Sequence, residues 1–194
     1  GTALAIYKSG RNRVEKTAPF YSILVTAILA VAFAAVWLAR PRETAFGWLA
    51  AALAARAAFT GLGMQQTPWF DWPALYRCLI YLALLGFVYC ELRFSRELLK
   101  QAAGRVERYL GVALLAIAAT VLTWSLAGGL GYVMVGALVA VPAALLTGGL
   151  VVRRFARHCL AHPESQEVRW LLILAGILLL TGARDWLYDL GLVG

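Results

Sequence analysis

The stretch PFYSILVTAILAVAFAAVWLA, Pro19 to Ala39, carries no charged side chain and stops abruptly at Arg40-Pro41-Arg42-Glu43. Roughly 20 mostly apolar residues suffice for a helix to cross a ~30 Å hydrocarbon layer, so this stretch reads as a membrane span. Working outward along the chain, five further apolar runs follow, at about Thr44–Leu62, Pro73–Phe94, Tyr109–Leu126, Leu130–Val152 and Trp170–Tyr188. The pattern predicts an all-α, polytopic membrane helix bundle with six spans. Composition agrees: of 194 residues 62% are hydrophobic and only 14% charged. Soluble domains carry about 25% charged residues, and helices in water need a polar face that these runs lack.

The net charge of +8 does not point to nucleic acid, because most basic residues flank the apolar runs, where they set topology and meet lipid headgroups. Eleven Lys and Arg residues fall in three connections: Arg40 and Arg42; Arg93, Arg96, Lys100, Arg105 and Arg108; Arg153, Arg154, Arg157 and Arg169. The opposite connections, 63–72 and 125–129, hold none. The positive-inside rule therefore places the three basic connections in the cytoplasm and both chain ends outside. The N-terminal tail, with Lys8, Arg11, Arg13 and Lys16, argues the other way and is outvoted, since long tails translocate largely regardless of charge. A cysteine introduced at Gln65 in a background without Cys78, Cys90 and Cys159 is expected to react with an impermeant maleimide on intact cells, and one at Gln101 to resist it. The opposite pattern overturns this topology. Trp69, Phe70 and Trp72 suit an ordinary aromatic belt at the outer interface.

Residues 1–16 do not read as a signal peptide, because the apolar part is short and the basic residues follow it. Ala3–Tyr7 reads instead as a short strand turned by Ser9-Gly10, the end of a preceding domain. With an even number of spans, a cytoplasmic output would need one more crossing, so the chain reads as a fragment or as built to stop short. Ser95–Arg108 reads as an interfacial or protruding amphipathic helix, with Leu98, Leu99, Ala102, Ala103 and Val106 at helical spacing.

The familiar catalytic patterns are missing: the sequence contains no HExxH, Walker loop, GxSxG or paired Cys-His cluster. No enzyme activity or cofactor is expected from this chain. His158 and His162 stand four apart but precede Pro163 without a third ligand nearby, and read as solvated loop histidines rather than a metal site. The informative residues are charges within the spans: Arg56, Arg77, Arg184, Asp185 and Asp189, all placed in the outer half of the bundle. Such charges are costly in lipid and normally face the bundle interior and find partners. Arg56, or Arg77, is expected to pair with Asp185 or Asp189, which share a helical face. Whether that pair fixes packing or senses a ligand stays open. Pro142, with Gly148 and Gly149 after it, marks either a hinge or a fixed kink with close glycine packing.

Taken in order, these landmarks resemble the seven-transmembrane receptors with diverse intracellular signalling modules, a family of bacterial membrane sensors. The resemblance rests on Ala5-Ile6-Tyr7-Lys8-Ser9-Gly10, on Arg40–Thr44 with Phe46-Gly47-Trp48, and on Leu53-Ala54-Ala55-Arg56-Ala57. It continues with Glu91-Leu92-Arg93-Phe94, Gly182-Ala183-Arg184-Asp185-Trp186-Leu187 and Gly191-Leu192-Val193. It implies that residues 1–17 end an extracytoplasmic segment and that 18–194 form a transmembrane sensor domain in the bacterial inner membrane. It further implies a seventh helix, an unknown extracytoplasmic ligand, a homodimer, and a cytoplasmic output module such as a GGDEF diguanylate cyclase or histidine kinase. The competing reading is a transporter or membrane-enzyme subunit with a polar path in the outer half. Transporters often show matching broken helices in repeated halves, whereas here only the fifth run contains a mid-span proline.

Overall fold

The computed structural model describes residues 2–63, 73–102, 104–126 and 136–189, and within them leaves aside the side chains of 2–19, 74, 136–137, 185–186 and 188–189. The described residues form α1 (Thr2–Ala39), α2 (Thr44–Gly63), α3 (Pro73–Leu98), α4 (Arg105–Leu126), a π-turn (Gly136–Ala140) running into α5 (Val141–Ala161), and α6 (Gln166–Asp189). Among the described residues there are six helices long and apolar enough to cross a membrane, and no strand. The chain is a multi-pass membrane protein with an all-α fold. Lipid has no water to satisfy backbone groups, so each span must close its own hydrogen bonds, and a helix does so.

Helix α3 is the hub. It packs against α2 on one side and against α4 and α5 on the other, while α1 lies on α2 and α6 on α5. Small residues let α2 and α3 approach: a Cβ built on Gly86 would sit 3.9 Å from the Ala55 methyl carbon. The hairpin is tied at both ends. Near its turn, the Tyr76 hydroxyl donates to the Leu62 carbonyl at the C-terminal end of α2. At the other end, the Thr44 hydroxyl donates to the Glu97 carboxylate at 3.3 Å, and Arg96 holds that carboxylate at 2.5 Å. Two apolar clusters fill the interior, Leu92, Phe94, Val151 and Phe155 between α3 and α5, and Leu85, Leu114 and Ala140 between α3, α4 and the π-turn.

Where α1 meets α2, the Trp37 indole lies flat on Gly47, with ring carbons 3.0 Å from where a Cβ would stand. Gly47→Leu is expected to push the indole off and lower thermal stability in detergent by about 1–3 kcal/mol, the usual cost of overpacking. Adding Trp37→Ala should recover most of that loss. No recovery would show that Gly47 acts otherwise than by seating the ring.

Three sequence expectations are corrected. Ala3–Tyr7 is helical, not a strand, and belongs to the 38-residue α1. A lone strand has no partner for its N–H and C=O groups, whereas helix extension satisfies them locally. Ser95–Arg108 is not a separate helix: α3 stops at Leu98, and α4 starts at Arg105. Lys100 adopts φ 49°, and the Lys100 and Gln101 N–H groups bond to the Glu97 and Arg96 carbonyls at 3.2 and 3.1 Å. This is a Schellman stop with lysine in the left-handed position that glycine usually takes. The helical spacing seen in the sequence came from two helix ends facing each other across a break; Ala103 lies outside the described residues. Finally, α5 continues through Ala161, so Arg153, Arg154, Arg157 and His158 are helical rather than in a loop. Charge ends the hydrophobic run there, but it does not end the helix.

Pro142 sits directly after the π-turn, in the first turn of α5. Proline cannot donate to the carbonyl four residues back, that of Leu138, and a wide turn there absorbs the misfit. Gly148 is a packing glycine, its Cβ position 3.1 Å from Leu179 Cδ1 on α6, whereas Gly149 has no atom within 4 Å. The 63–72 and 127–129 connections fall wholly or mainly outside the described residues.

Candidate functional site

A cavity of about 270 Å³ opens inside the bundle. Ser22, Thr26 and Leu29 of α1 form one side and Leu171, Leu174, Ala175 and Leu178 of α6 the other. Its back wall is α2 and α3, with Ala52, Leu53 and Arg56 opposite Phe87, Glu91 and Phe94, and Val151 and Phe155 of α5 complete it. The volume lies near the lower end of small-molecule sites, about 300–1,000 Å³. Helices α1 and α6 have no extensive contact with each other, so the cavity has a seam between them that faces lipid.

Two ionisable residues break this apolar lining, Arg56 and Glu91. Side chains lean toward the N-terminus of their helix. Because α2 and α3 run antiparallel, Arg56 leans toward the level of Glu91 and Glu91 leans back toward Arg56. Both side chains line the one cavity, and the guanidinium carbon of Arg56 lies 5.8 Å from the centroid of the Phe87 ring. A cation over a ring face gains electrostatically, and more so when desolvated. Arg56 makes no hydrogen bond to a described residue, so its N–H donors remain available to whatever enters.

The sequence expectation paired Arg56 with Asp185 or Asp189, whose side chains lie outside the described residues. Among the described residues the acid that shares the cavity with Arg56 is Glu91, which stands near the end of the third run and to which the sequence assigned no role. The available signal was antiparallel register: with α2 and α3 joined by a short link, a residue about midway along one meets the later half of the other. Arg77 and Arg184 are exposed and do not line the cavity. The His158 and His162 rings stack with centroids 4.5 Å apart at the C-terminus of α5. Among the described residues no three His, Cys, Asp or Glu side chains gather as a metal site would require.

A second polar group lies one turn further along α3. Arg154 of α5 reaches Glu107 of α4 at 2.7 Å, the Ser95 hydroxyl at 3.1 Å and the Leu92 carbonyl at 3.4 Å. The arginine thus ties three helices together, and the pair is largely buried, 17% and 9% exposed. The Leu92, Phe94, Val151 and Phe155 cluster stands between the two polar groups. Phe94, Val151 and Phe155 line the cavity, and Leu92 faces the arginine cluster.

Compared with known protein families, curated proteins and solved structures, the chain matches none.

Proposed function

We propose that this chain is the sensing and transducing membrane domain of a bacterial inner-membrane receptor, relaying an extracytoplasmic signal across the bilayer to a cytoplasmic output module. The reading rests above all on the Arg56–Glu91 cavity. An arginine and a glutamate set in apolar walls give the cavity two arrangements, the side chains drawn together when it closes and held apart by an occupant when it opens. Five helices wall the cavity, so either arrangement repositions α1 and α6 against the α2–α3 hairpin. A relay needs such a pair of discrete states, biased by what is bound. The π-turn before Pro142 gives α5 a place to bend. The resemblance drawn from the sequence implies the same role.

The transporter reading is weaker, because the buried Leu92, Phe94, Val151 and Phe155 cluster interrupts a polar path between the two charged groups. Spin labels at Arg42 and Leu160, both exposed, test the relay in the chain reconstituted in bilayers. Two distance populations are expected, with their ratio shifted by Arg56→Gln and by Glu91→Gln. A single population that neither variant moves would overturn the relay.

A further inference from the structure

Helix α4 packs on α3 and on the π-turn but not extensively on α5, which leaves a cleft between α4 and α5. Its membrane part is an apolar groove of about 760 Å³ lined by Leu110, Pro142, Leu145, Leu146, Gly149 and Leu150, with Arg153 at its rim. Leu150 and Arg153 also line a second cavity of about 380 Å³, whose mixed wall adds the polar side chains of Gln101, Glu107, Arg154 and Arg157. The two spaces therefore adjoin at Leu150 and Arg153, with the apolar groove on one side and the arginines on the other. From Pro142 to Arg153 a helix rises about 16 Å, close to half of the ~30 Å hydrocarbon layer. The groove thus has the depth of one leaflet, and the arginines stand where its headgroups begin.

The charge balance at the rim decides the occupant. Arg154 is taken up by Glu107, Ser95 and the Leu92 carbonyl. Arg153 and Arg157 are exposed and make no hydrogen bond or ion pair to a described residue. Spaced four apart, they share a face of α5, and two guanidinium groups so placed suit a phosphate, which accepts forked hydrogen bonds. Gly149, with nothing within 4 Å of its Cβ position, leaves the groove floor open to a chain of methylenes.

The geometry points to a bound anionic glycerophospholipid in the α4–α5 cleft, its phosphodiester on Arg153 and Arg157 and one acyl chain lying along Leu145, Leu146 and Gly149. The site is separate from the Arg56–Glu91 cavity and does not depend on the relay reading. The lipid acts as a filler between two helices that otherwise meet chiefly through the Arg154–Glu107 pair, and it holds α4 at the distance that the pair requires.

The test uses the full chain, delipidated in an uncharged detergent, with phosphatidylglycerol added and binding read by native mass spectrometry. Retention of phosphatidylglycerol over phosphatidylcholine is expected, with affinity falling at least about tenfold in Arg153→Gln/Arg157→Gln, the loss of about one charge-assisted hydrogen bond. Arg42→Gln should bind as the parent does. Glycerol phosphate in excess should not displace the lipid; displacement would show a site for free phosphate and overturn the proposal. Phosphatidylglycerol with a photoreactive group at mid-chain should label Leu145, Leu146 or Gly149 in the unaltered chain, a readout that needs no variant to fold. Labelling confined to α1 and α6, equal binding of phosphatidylcholine, or undiminished binding by the double variant would each overturn it.

Discussion

Arg154→Ala is expected to lower the stability of the bundle by about 3–5 kcal/mol, the cost of leaving a buried charge without its partner. The size follows from what the side chain holds. Glu107 is 9% exposed, and its Oε1 already has no hydrogen-bond partner among the described residues. With the guanidinium gone, the Glu107 Oε2 is left without its donor as well, and the Ser95 hydroxyl loses the one it receives from α5. Arg154→Ala/Glu107→Ala should be less destabilising than Arg154→Ala alone, because it removes the stranded charge together with its partner. Denaturation in mixed micelles across the four proteins of the cycle measures this. A double variant as unstable as the sum of the two single ones would dismiss the pair as an energetic link between α4 and α5.

Phe155→Ala should be the next most damaging change, about 3–5 kcal/mol by the same measurement. The ring is 2% exposed at the centre of the α3–α5 contact. Truncation removes its contacts with the rest of the cluster and merges the freed space with the Arg56–Glu91 cavity. Leu160→Ala, on the same helix but 84% exposed, is expected to stay within about 0.5 kcal/mol of the parent. A loss at Leu160 as large as that at Phe155 would mean that the α3–α5 contact is not where the bundle's stability lies.

The spans were legible because length and apolarity alone decide what crosses a bilayer. Pro19–Ala39 and Thr44–Leu62 are nearly the span limits found, Phe20–Ala39 and Thr44–Gly63. What the pattern hid was the difference between the end of an apolar run and the end of a helix. Arg154 follows the fifth run by two residues, so it read as a loop arginine; the helix goes on past it, and that extra turn places the guanidinium on Glu107. The break after Leu98 depends on Lys100 in a left-handed conformation, which a lysine in sequence does not announce. The candidate site was half visible. Arg56 stood out as a charge inside a span, but its neighbour depends on how α2 and α3 align, and Glu91 sits close enough to the basic edge to pass for a boundary residue. Pro142 announced a disturbance in the fifth span, and the structure gives its form, a π-turn on the N-terminal side.

The hub position of α3 bears on how the protein is made. Neighbours in sequence are neighbours in space for α1–α2, α2–α3, α3–α4 and α5–α6, and the extensive contact that skips an element joins α3 to α5 and its π-turn. During synthesis, helices inserted one after another can therefore associate as each arrives, with little chain to close. The docking of the α5–α6 pair onto α3 is the one step that must wait for most of the chain to be in the membrane, and contacts distant in sequence form slowly. Until then Glu107 has no arginine, and the apolar face of α3 that later meets Val151 and Phe155 stays open to lipid. A slow or failed last docking would leave a four-helix intermediate, inserted but incomplete, as the species most open to quality-control proteolysis.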